Sequence, residues 1–311
     1  MKIIRDIKKY NLNDPVTASI GAFDGLHIGH QKIIRNIVNL SIKNNTKSAL
    51  ITFNPLPKVY FSKKNFQLLS MYKKIDILST FNLDYLVILR FNDELLSTSS
   101  KKFVEDILIN KLNIKALSVG DDFKFGYNQE GSVNDLISYS KKGYFSINLE
   151  KKHSIENIRV SSSLIRDSIV ENDFEKAAKM LGRPYSISGK IMHGEKRGSK
   201  IGFPTANIKL EPNILLGGVY AVSTFIGNKK YYAVANIGYK PTFNGEQYLF
   251  EAHIFNFSGN LYGQRLEFSI ASKIRDTKKF SGIEELKSNI NRDIESTKKI
   301  FKIQWMIIKK L

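Results

Sequence analysis

The sequence predicts two domains of different fold class: an α/β domain, then a small antiparallel β-barrel with a long terminal helix. The chain has 311 residues, enough for two domains that each bury a core. Strands alternate with helices in the first half, whereas β-branched and aromatic strand segments dominate the second half. The pattern changes near Gly182–Pro184, so we predict domains spanning residues 1–183 and 184–311.

Apolar periodicity defines the elements of the first half. Strands that alternate with helices at this spacing predict βαβ units on a parallel sheet. Parallel sheets bind ligands beyond the carboxyl ends of their strands, so we expect chemistry in the loops after Phe23, Phe53 and Gly120. The predicted elements are strands 16–23, 48–53, 85–91 and 115–120 and helices 29–43, 99–111, 162–170 and 174–181.

Short strands separated by turns define the second half. Several strands at this spacing predict a small antiparallel barrel. A helix over 283–308 follows, with Ile283, Leu286, Ile290 and Ile294 on one stripe. The predicted strands are 187–192, 218–226, 231–237, 248–257 and 265–274.

Composition narrows the classes of function. The 48 Lys and Arg residues exceed the 29 Asp and Glu residues, giving a formal charge of +19 that is spread along the chain. Such a charge attracts small polyanions such as nucleotides, and we expect neither a nucleic-acid nor a membrane partner. The absence of cysteine excludes thiolate catalysis and disulfides, and with a charged N-terminus it predicts a cytoplasmic protein. The sequence indicates no oligomeric state.

The segment Gly21–His30 joins a predicted strand to a predicted helix and is the most informative part of the chain. Its glycines let the backbone approach a phosphate, and the helix N-terminus adds unpaired N–H groups. His27 and His30 share the first turn, where they can donate to charge developing on a phosphate. A zinc pair or two surface imidazoles are alternatives, but the three other histidines show no ligand spacing.

Gly21–His30 resembles the GxFDGxHxGH motif of the HxGH nucleotidyltransferase superfamily, in the form carried by bacterial bifunctional riboflavin kinase/FAD synthetases. Three further motifs follow in family order. Thr52–Pro57 resembles the TFxPxP loop, Gly120–Gly126 the GxDFxFG loop, and Val160–Arg166 the (V/I)SSTxIR motif. The resemblance implies a Rossmann-like nucleotidyltransferase domain that transfers AMP from ATP to FMN.

The resemblance also implies roles for single residues of this domain. His27 and His30 would be catalytic, and Asn54 and Asp122 would lie near the flavin, although each also suits an ordinary turn. Ser161–Ser163 also suit a plain helix N-cap. Only their pairing with Arg166 and with the two histidines favours a phosphate-binding site. The implied ATP-binding residues are Phe23, Asp24, Gly25, Gly29, Ser161, Ser162, Ser163 and Arg166.

A second motif, Gly194–Asn207, lies in the second half. Its glycines suit a flap over phosphates, and the Thr205 hydroxyl and Asn207 carbonyl are oxygen ligands appropriate to Mg²⁺. Taken alone it also suits a turn-rich connection, but it resembles the Pro-Thr-Ala-Asn motif and glycine-rich loop of riboflavin kinases. The ATP-binding residues that this resemblance implies are Gly194, Gly198, Lys200, Gly202 and Pro204.

Glu251 lies on a predicted strand and matches the catalytic glutamate of that family. A primary hydroxyl is a poor nucleophile at neutral pH, so a carboxylate that accepts its proton suits phosphoryl transfer. An exposed strand residue is the alternative, and His253 is interpreted as structural. Asn236 and Arg275 match flavin-site positions, with an Arg275–Asp276 ion pair as the alternative for the arginine.

Together the motifs predict an enzyme that phosphorylates riboflavin to FMN and adenylylates FMN to FAD, using ATP and Mg²⁺. The chain departs from the family pattern at Leu56, Ser132 and Ser199. The first two departures leave open an alternative, a riboflavin kinase with a weakened adenylylation module. A basic nucleic-acid-binding module with a vestigial nucleotide site is a third hypothesis.

Overall fold

A computed structural model describes residues 1–62, 67–150, 154, 155, 158–194, 198, 201–210, 216–242 and 245–308. Contacts between Cα atoms divide the chain into an N-terminal unit, Met1–Ser162, and a C-terminal unit, Ser163–Leu311. The functional boundary between residues 183 and 184 stays a prediction. Within the described ranges, no helix is long and apolar enough to cross a membrane.

Six parallel strands form the centre of the N-terminal unit. They are β1 (Lys2–Ile4), β2 (Val16–Ile20), β3 (Lys47–Asn54), β4 (Tyr85–Arg90), β5 (Ile114–Gly120) and β6 (Ser146–Glu150). Their order in the sheet is β1-β4-β3-β2-β5-β6, which confirms the predicted parallel α/β architecture. Strand β2 ends at Ile20, before the predicted Phe23, because Phe23 has a φ of 46° that no strand adopts. A short antiparallel pair, β7 (Ser154–Ile155) and β8 (Ile158–Arg159), follows.

Helices cover both faces of this sheet. Alternate residues of β3 face opposite sides. Ile51 packs in a cluster with Phe103 and Leu108, whereas Leu50 packs with Ile34 and Leu78. The helices are α1 (Ile28–Lys43), α2 (Pro57–Ser62), α3 (Met71–Leu78), α4 (Asp93–Leu96), α5 (Ser100–Lys102, continued by π-helical turns over Phe103–Lys111) and α6 (Val133–Lys141).

The C-terminal unit is an antiparallel barrel preceded by two helices and followed by one. Its elements are α7 (Ser162–Val170, which begins at the last residue of the N-terminal unit), α8 (Phe174–Leu181), β9 (Ser186–Lys190), β10 (Ala206–Lys209), β11 (Gly218–Ile226), β12 (Lys229–Thr242), β13 (Gly245–Ile254), β14 (Arg265–Arg275) and α9 (Ile283–Ile308). The strand order is β10-β13-β12-β11-β14-β9. An isolated bridge between Met192 and Asn207 joins the two outer edges, which confirms the predicted barrel.

Helix α9 packs on the barrel with a face that differs from the predicted stripe. Ile283 is 60% exposed, whereas Asn289, Asp293, Thr297 and Phe301 are buried. These buried positions follow the helical spacing of four residues. The buried face of α9 therefore carries a carboxylate, that of Asp293.

Candidate functional site

The carboxyl ends of β3, β2 and β5 lie side by side in the parallel sheet. Asn54 ends β3, Gly21 follows β2, and Asp122 lies two residues after β5. The loops in which the sequence predicts chemistry therefore follow neighbouring strands at one edge of the sheet, as the general rule for such sheets requires. The flavin-binding roles of Asn54 and Asp122 stay predictions.

The loop between β2 and α1 makes a tight turn that places backbone close to α1. Phe23, Gly25 and Leu26 have φ angles of 46°, 81° and 43°, and only a glycine adopts this region without strain. Phe23 and Leu26 are buried in the apolar cluster of α1 and α3, so packing compensates for their strain. The loop is thereby held in one conformation.

His27 forms the N-cap of α1. Its Nδ1 accepts a hydrogen bond from the backbone N–H of His30 at 3.3 Å, so a neutral His27 carries its proton on Nε2. The two imidazole rings stack with their centroids 3.6 Å apart, and the Phe23 ring packs edge-on against His30. The structure therefore brings the two predicted catalytic histidines together at a helix N-terminus.

His30 is half-buried, and its Nδ1 is buried without a hydrogen-bond partner in the described part of the chain. Burial, assisted by the neighbouring His27 and Lys74, lowers the pKa of His30 well below its usual value. The ring is therefore neutral at neutral pH. A buried polar atom without a partner is unusual in a native fold, and a bound substrate would give it one.

Two side chains from outside the loop, those of Ser162 and Lys74, and the Asp24 carboxylate of the loop itself anchor it to its surroundings. The Asp24 carboxylate accepts the backbone N–H of Leu68 at 3.0 Å, and the Asp24 carbonyl accepts the Ser162 hydroxyl at 2.8 Å. Lys74, on α3, donates its ammonium to the Ala22 carbonyl at 2.8 Å. Sequence reasoning missed Lys74, although a lysine four residues before the buried Leu78 of a short amphipathic helix was an available signal.

The other predicted phosphate-binding residues are only partly placed. Gly29 lines a cavity of about 300 Å³ between α1 and the end of β6, with Lys32 and Asn148. Ser162 contacts residues 21–27, the histidine loop, through the Asp24 carbonyl. Ser163 and Arg166 belong to the C-terminal contact unit, and the prediction that they face the histidines stays a prediction.

The C-terminal unit contains a cavity of about 1000 Å³ between the barrel and α9. Ile201 and Phe203 line it, whereas Gly202 and Pro204 are not among its lining residues, and Lys200 lies outside the described residues. The structure thus brings most of the predicted kinase residues to one cavity. The predicted site residues that line it are Gly194, Gly198, Thr205, Asn207, Asn236, Glu251 and Arg275.

The β-ladder places Glu251 at the centre of this group. Glu251 lies directly opposite Asn207 on β10 and opposite Asn236 on β12, so the three side chains share one face. Its two carboxylate oxygens lie 2.6 and 2.5 Å from the ammonium of Lys240, which is further along β12. Sequence reasoning missed Lys240, whose separation from Asn236 by four residues puts it on the same face of the strand.

Asn207 has the properties of an oxygen ligand. Its Nδ2 donates to the Thr205 carbonyl at 3.3 Å, while its Oδ1 is buried without a partner in the described part of the chain. A Cβ at Gly194 would lie 2.4 Å from that Nδ2, so a larger residue at position 194 would displace the Asn207 amide. Two oxygen donors, the Thr205 hydroxyl and Asn207 Oδ1, thus suit a hard divalent cation such as Mg²⁺.

His253 supports the segment that carries Thr205. Its ring Nδ1 lies 2.9 Å from the Pro204 carbonyl, which makes this nitrogen the donor. The Phe203 ring packs edge-on against the imidazole. This arrangement agrees with the structural interpretation of His253.

Arg275 forms a bidentate ion pair with Asp293 of α9, with N···O distances of 2.9 and 2.7 Å. The alternative prediction, an ion pair between Arg275 and the Asp276 carboxylate, is wrong. Arg275 donates to the backbone carbonyl of Asp276, and Lys273 pairs with the Asp276 carboxylate. The Arg275–Asp293 pair explains why α9 buries a carboxylate. It also fixes α9 against the end of β14, on the wall of the cavity.

Comparisons with known proteins match each half of the chain to a different family model. A family model described as FAD synthetase matches residues 9–164, and one described as riboflavin kinase matches residues 181–301. A bifunctional riboflavin kinase/FMN adenylyltransferase from Buchnera aphidicola subsp. Schizaphis graminum is 42% identical, over 97% of this chain and 100% of the relative. A protein of the same name from Haemophilus influenzae is 36% identical, over 97% and 99%.

One solved structure covers nearly the whole chain. It is described as a macrolide-efflux protein from Streptococcus pneumoniae, and it matches with a TM-score of 0.80 and 29% identity. The match covers 95% of this chain and 98% of that chain.

The Arg275–Asp293 pair predicts a difference in stability between two aspartate variants. Asp293→Ala leaves the Arg275 guanidinium partly buried without a carboxylate, and we expect the unfolding free energy to fall by about 3 kcal/mol. Asp276→Ala removes an exposed pair with Lys273 and is expected to cost about 0–1 kcal/mol. Urea unfolding followed by the fluorescence of Trp305, the single tryptophan, measures both values. Equal losses would contradict the assignment.

Proposed function

The chain belongs to the family of bifunctional riboflavin kinase/FMN adenylyltransferases, and we propose that its C-terminal half phosphorylates riboflavin and its N-terminal half adenylylates the resulting FMN. One observation carries this proposal: each half of the chain matches its own family model and contains its own candidate phosphate site. ATP is the second substrate of both reactions. The cytoplasmic location stays a prediction.

In the kinase reaction, Glu251 accepts the proton of the terminal ribityl hydroxyl of riboflavin. The hydroxyl oxygen attacks the γ-phosphorus of ATP, the bond from that phosphorus to the β-γ bridging oxygen breaks, and ADP leaves. The cross-strand position of Glu251 between Asn207 and Asn236, together with the ammonium of Lys240, supports this role.

Mg²⁺ is the cofactor that we propose for the kinase site. The Thr205 hydroxyl and the unpartnered Oδ1 of Asn207 would hold it. When bound, the ion neutralises charge on the phosphates of ATP. Gly194 leaves room beside Asn207, and a Cβ at Gly198 would lie 2.3 Å from the Phe203 carbonyl, so position 198 excludes a side chain. Asn236 and Arg275 would contact the flavin.

In the adenylyltransferase reaction, a phosphate oxygen of FMN attacks the α-phosphorus of a second ATP. The bond to the α-β bridging oxygen breaks and pyrophosphate leaves. An anionic phosphate already supplies the attacking electron pair, so the chain needs no general base here. His27 and His30 stabilise the negative charge on the oxygens of the α-phosphoryl group, with the Nε2–H of His27 as one donor.

A product assay tests both activities in one tube. The protein is incubated with riboflavin, ATP and Mg²⁺, and flavins are separated by chromatography with fluorescence detection. We expect FMN first and FAD later. FMN without FAD would support the alternative with a weakened adenylylation module, and absence of both products would overturn the proposal.

Glu251→Gln separates the two reactions. The amide cannot accept the hydroxyl proton, so we expect riboflavin phosphorylation to fall by about 10²- to 10⁴-fold. FAD formation from supplied FMN should be unchanged, because it uses the other site. Glu284→Gln, an exposed glutamate of α9, is the matched control and should retain both rates. Equal loss of both reactions in Glu251→Gln would refute independent sites.

His30→Ala is expected to have the reverse effect. Removing one donor to the developing charge costs about 2.7–4 kcal/mol in transition-state stabilisation, which is about 10²- to 10³-fold in kcat for FAD formation. Riboflavin phosphorylation by the same polypeptide is the internal control for folding. FAD formation at the unchanged rate would remove His30 from the site.

A further inference from the structure

Lys74 is a buried cation that the proposed reactions do not use. Lys74 is only 2% exposed. Its ammonium donates to the Ala22 carbonyl at 2.8 Å and to the Thr52 hydroxyl at 3.3 Å. The Thr52 hydroxyl donates in turn to the same Ala22 carbonyl at 3.1 Å. In the described part of the chain, Lys74 forms no ion pair within 4.0 Å. The lysine therefore joins α3, β3 and the histidine loop at one point.

Burying an ammonium without a paired carboxylate is costly, and two hydrogen bonds to neutral oxygens compensate for it only in part. A methionine would fill similar space without that cost. The neighbouring Leu78 shows that this face of α3 otherwise carries apolar side chains. A charged side chain buried among apolar ones indicates a contribution to function, particularly when it contacts the loop that carries His27.

We infer that Lys74 is a positioning residue of the adenylyltransferase site: its buried ammonium fixes the loop 21–27 through the Ala22 carbonyl and so presents His27 and His30 to the triphosphate. This inference rests on the proposed function of that site. The loop needs such a tie, because Phe23 and Leu26 hold strained backbone angles on either side of Gly25.

The charge of Lys74 also acts on the groups that face it. These groups are the Asp24 carboxylate, which favours the ammonium, and the imidazole of His30, whose pKa Lys74 lowers. His27 stacks on His30 and lowers that pKa as well. Lys74 therefore places a positive charge beneath a phosphate-binding loop and helps to keep His30 neutral.

Lys74→Met tests the inference, with Lys73→Met as the matched control on the same helix. Lys73 pairs with the exposed Asp76 at 3.0 Å. We expect kcat for FAD formation to fall by about 10- to 100-fold in Lys74→Met and to be unchanged in Lys73→Met. Riboflavin phosphorylation should be unchanged in both. FAD formation at the wild-type rate, or an equal loss of both reactions, would overturn the inference.

The pH profile distinguishes a charged tie from simple packing. Burial lowers the pKa of Lys74 to about 8, so the ammonium is present below that pH and is lost as the pH rises through it. The wild-type kcat/KM for ATP in FAD formation, which reports the free enzyme, should therefore fall as the pH rises through about 8. Lys74→Met should lack this decrease. Identical profiles in the two proteins would contradict a role for the charge.

Two further measurements keep the test decisive. If Lys74→Met does not fold in its N-terminal unit, Thr52→Val removes one hydroxyl of the same tie with little change in volume. We expect it to lower FAD formation several-fold, and an unchanged rate would overturn the inference.

NMR titration of the five histidines reports the pKa of His30 without any turnover. Removing the cation in Lys74→Met should raise the pKa of His30, and an unchanged value would place Lys74 outside the site even if the wild type makes no FAD.

Discussion

The N-terminal site depends on the conformation of one short loop, residues 21–27. Two of its non-glycine residues adopt left-handed backbone angles, which cost energy unless the surroundings hold them in place. Buried packing of Phe23 and Leu26 holds the loop from one side, and hydrogen bonds from Ser162 and Lys74 hold it from others. Only this conformation lets His27 cap α1 and stack on His30, so the geometry of the two imidazoles follows from the backbone.

The C-terminal site depends on the register of a β-ladder instead. Pairing of β13 with both β10 and β12 places Glu251 opposite two asparagines, and a shift by one residue would turn Glu251 to the other face of the barrel. The aromatic packing of Phe250 against Phe268 in the interior opposes such a shift. The two halves therefore position their candidate site residues by different means, a strained loop in the N-terminal unit and a fixed strand register in the C-terminal unit.

Much of this arrangement could be predicted because its signals are local. Apolar periodicity predicted the central parallel strands and most barrel strands. The glycine-rich turn before a helix pointed to the two histidines, and the resemblance to riboflavin kinases pointed to Glu251. Lys74 and Asp293 could not be predicted in the same way, since each acquires its role from a partner on another element: Lys74 contacts Ala22 at a sequence separation of 52 and Asp293 contacts Arg275 at a separation of 18. The buried face of α9 was predicted wrongly at Ile283 because the Arg275–Asp293 pair draws a polar face inward.

Asn207 has two tasks that use different atoms. Its backbone carbonyl accepts the N–H of Met192 at 2.8 Å and so joins the two edges of the barrel, while its side-chain oxygen, which has no partner among the described residues, is the proposed cation ligand. A ligand that binds only the closed form stabilises it by mass action. Occupancy of the proposed cation site would therefore stabilise the pairing of Met192 with Asn207 at the seam of the barrel.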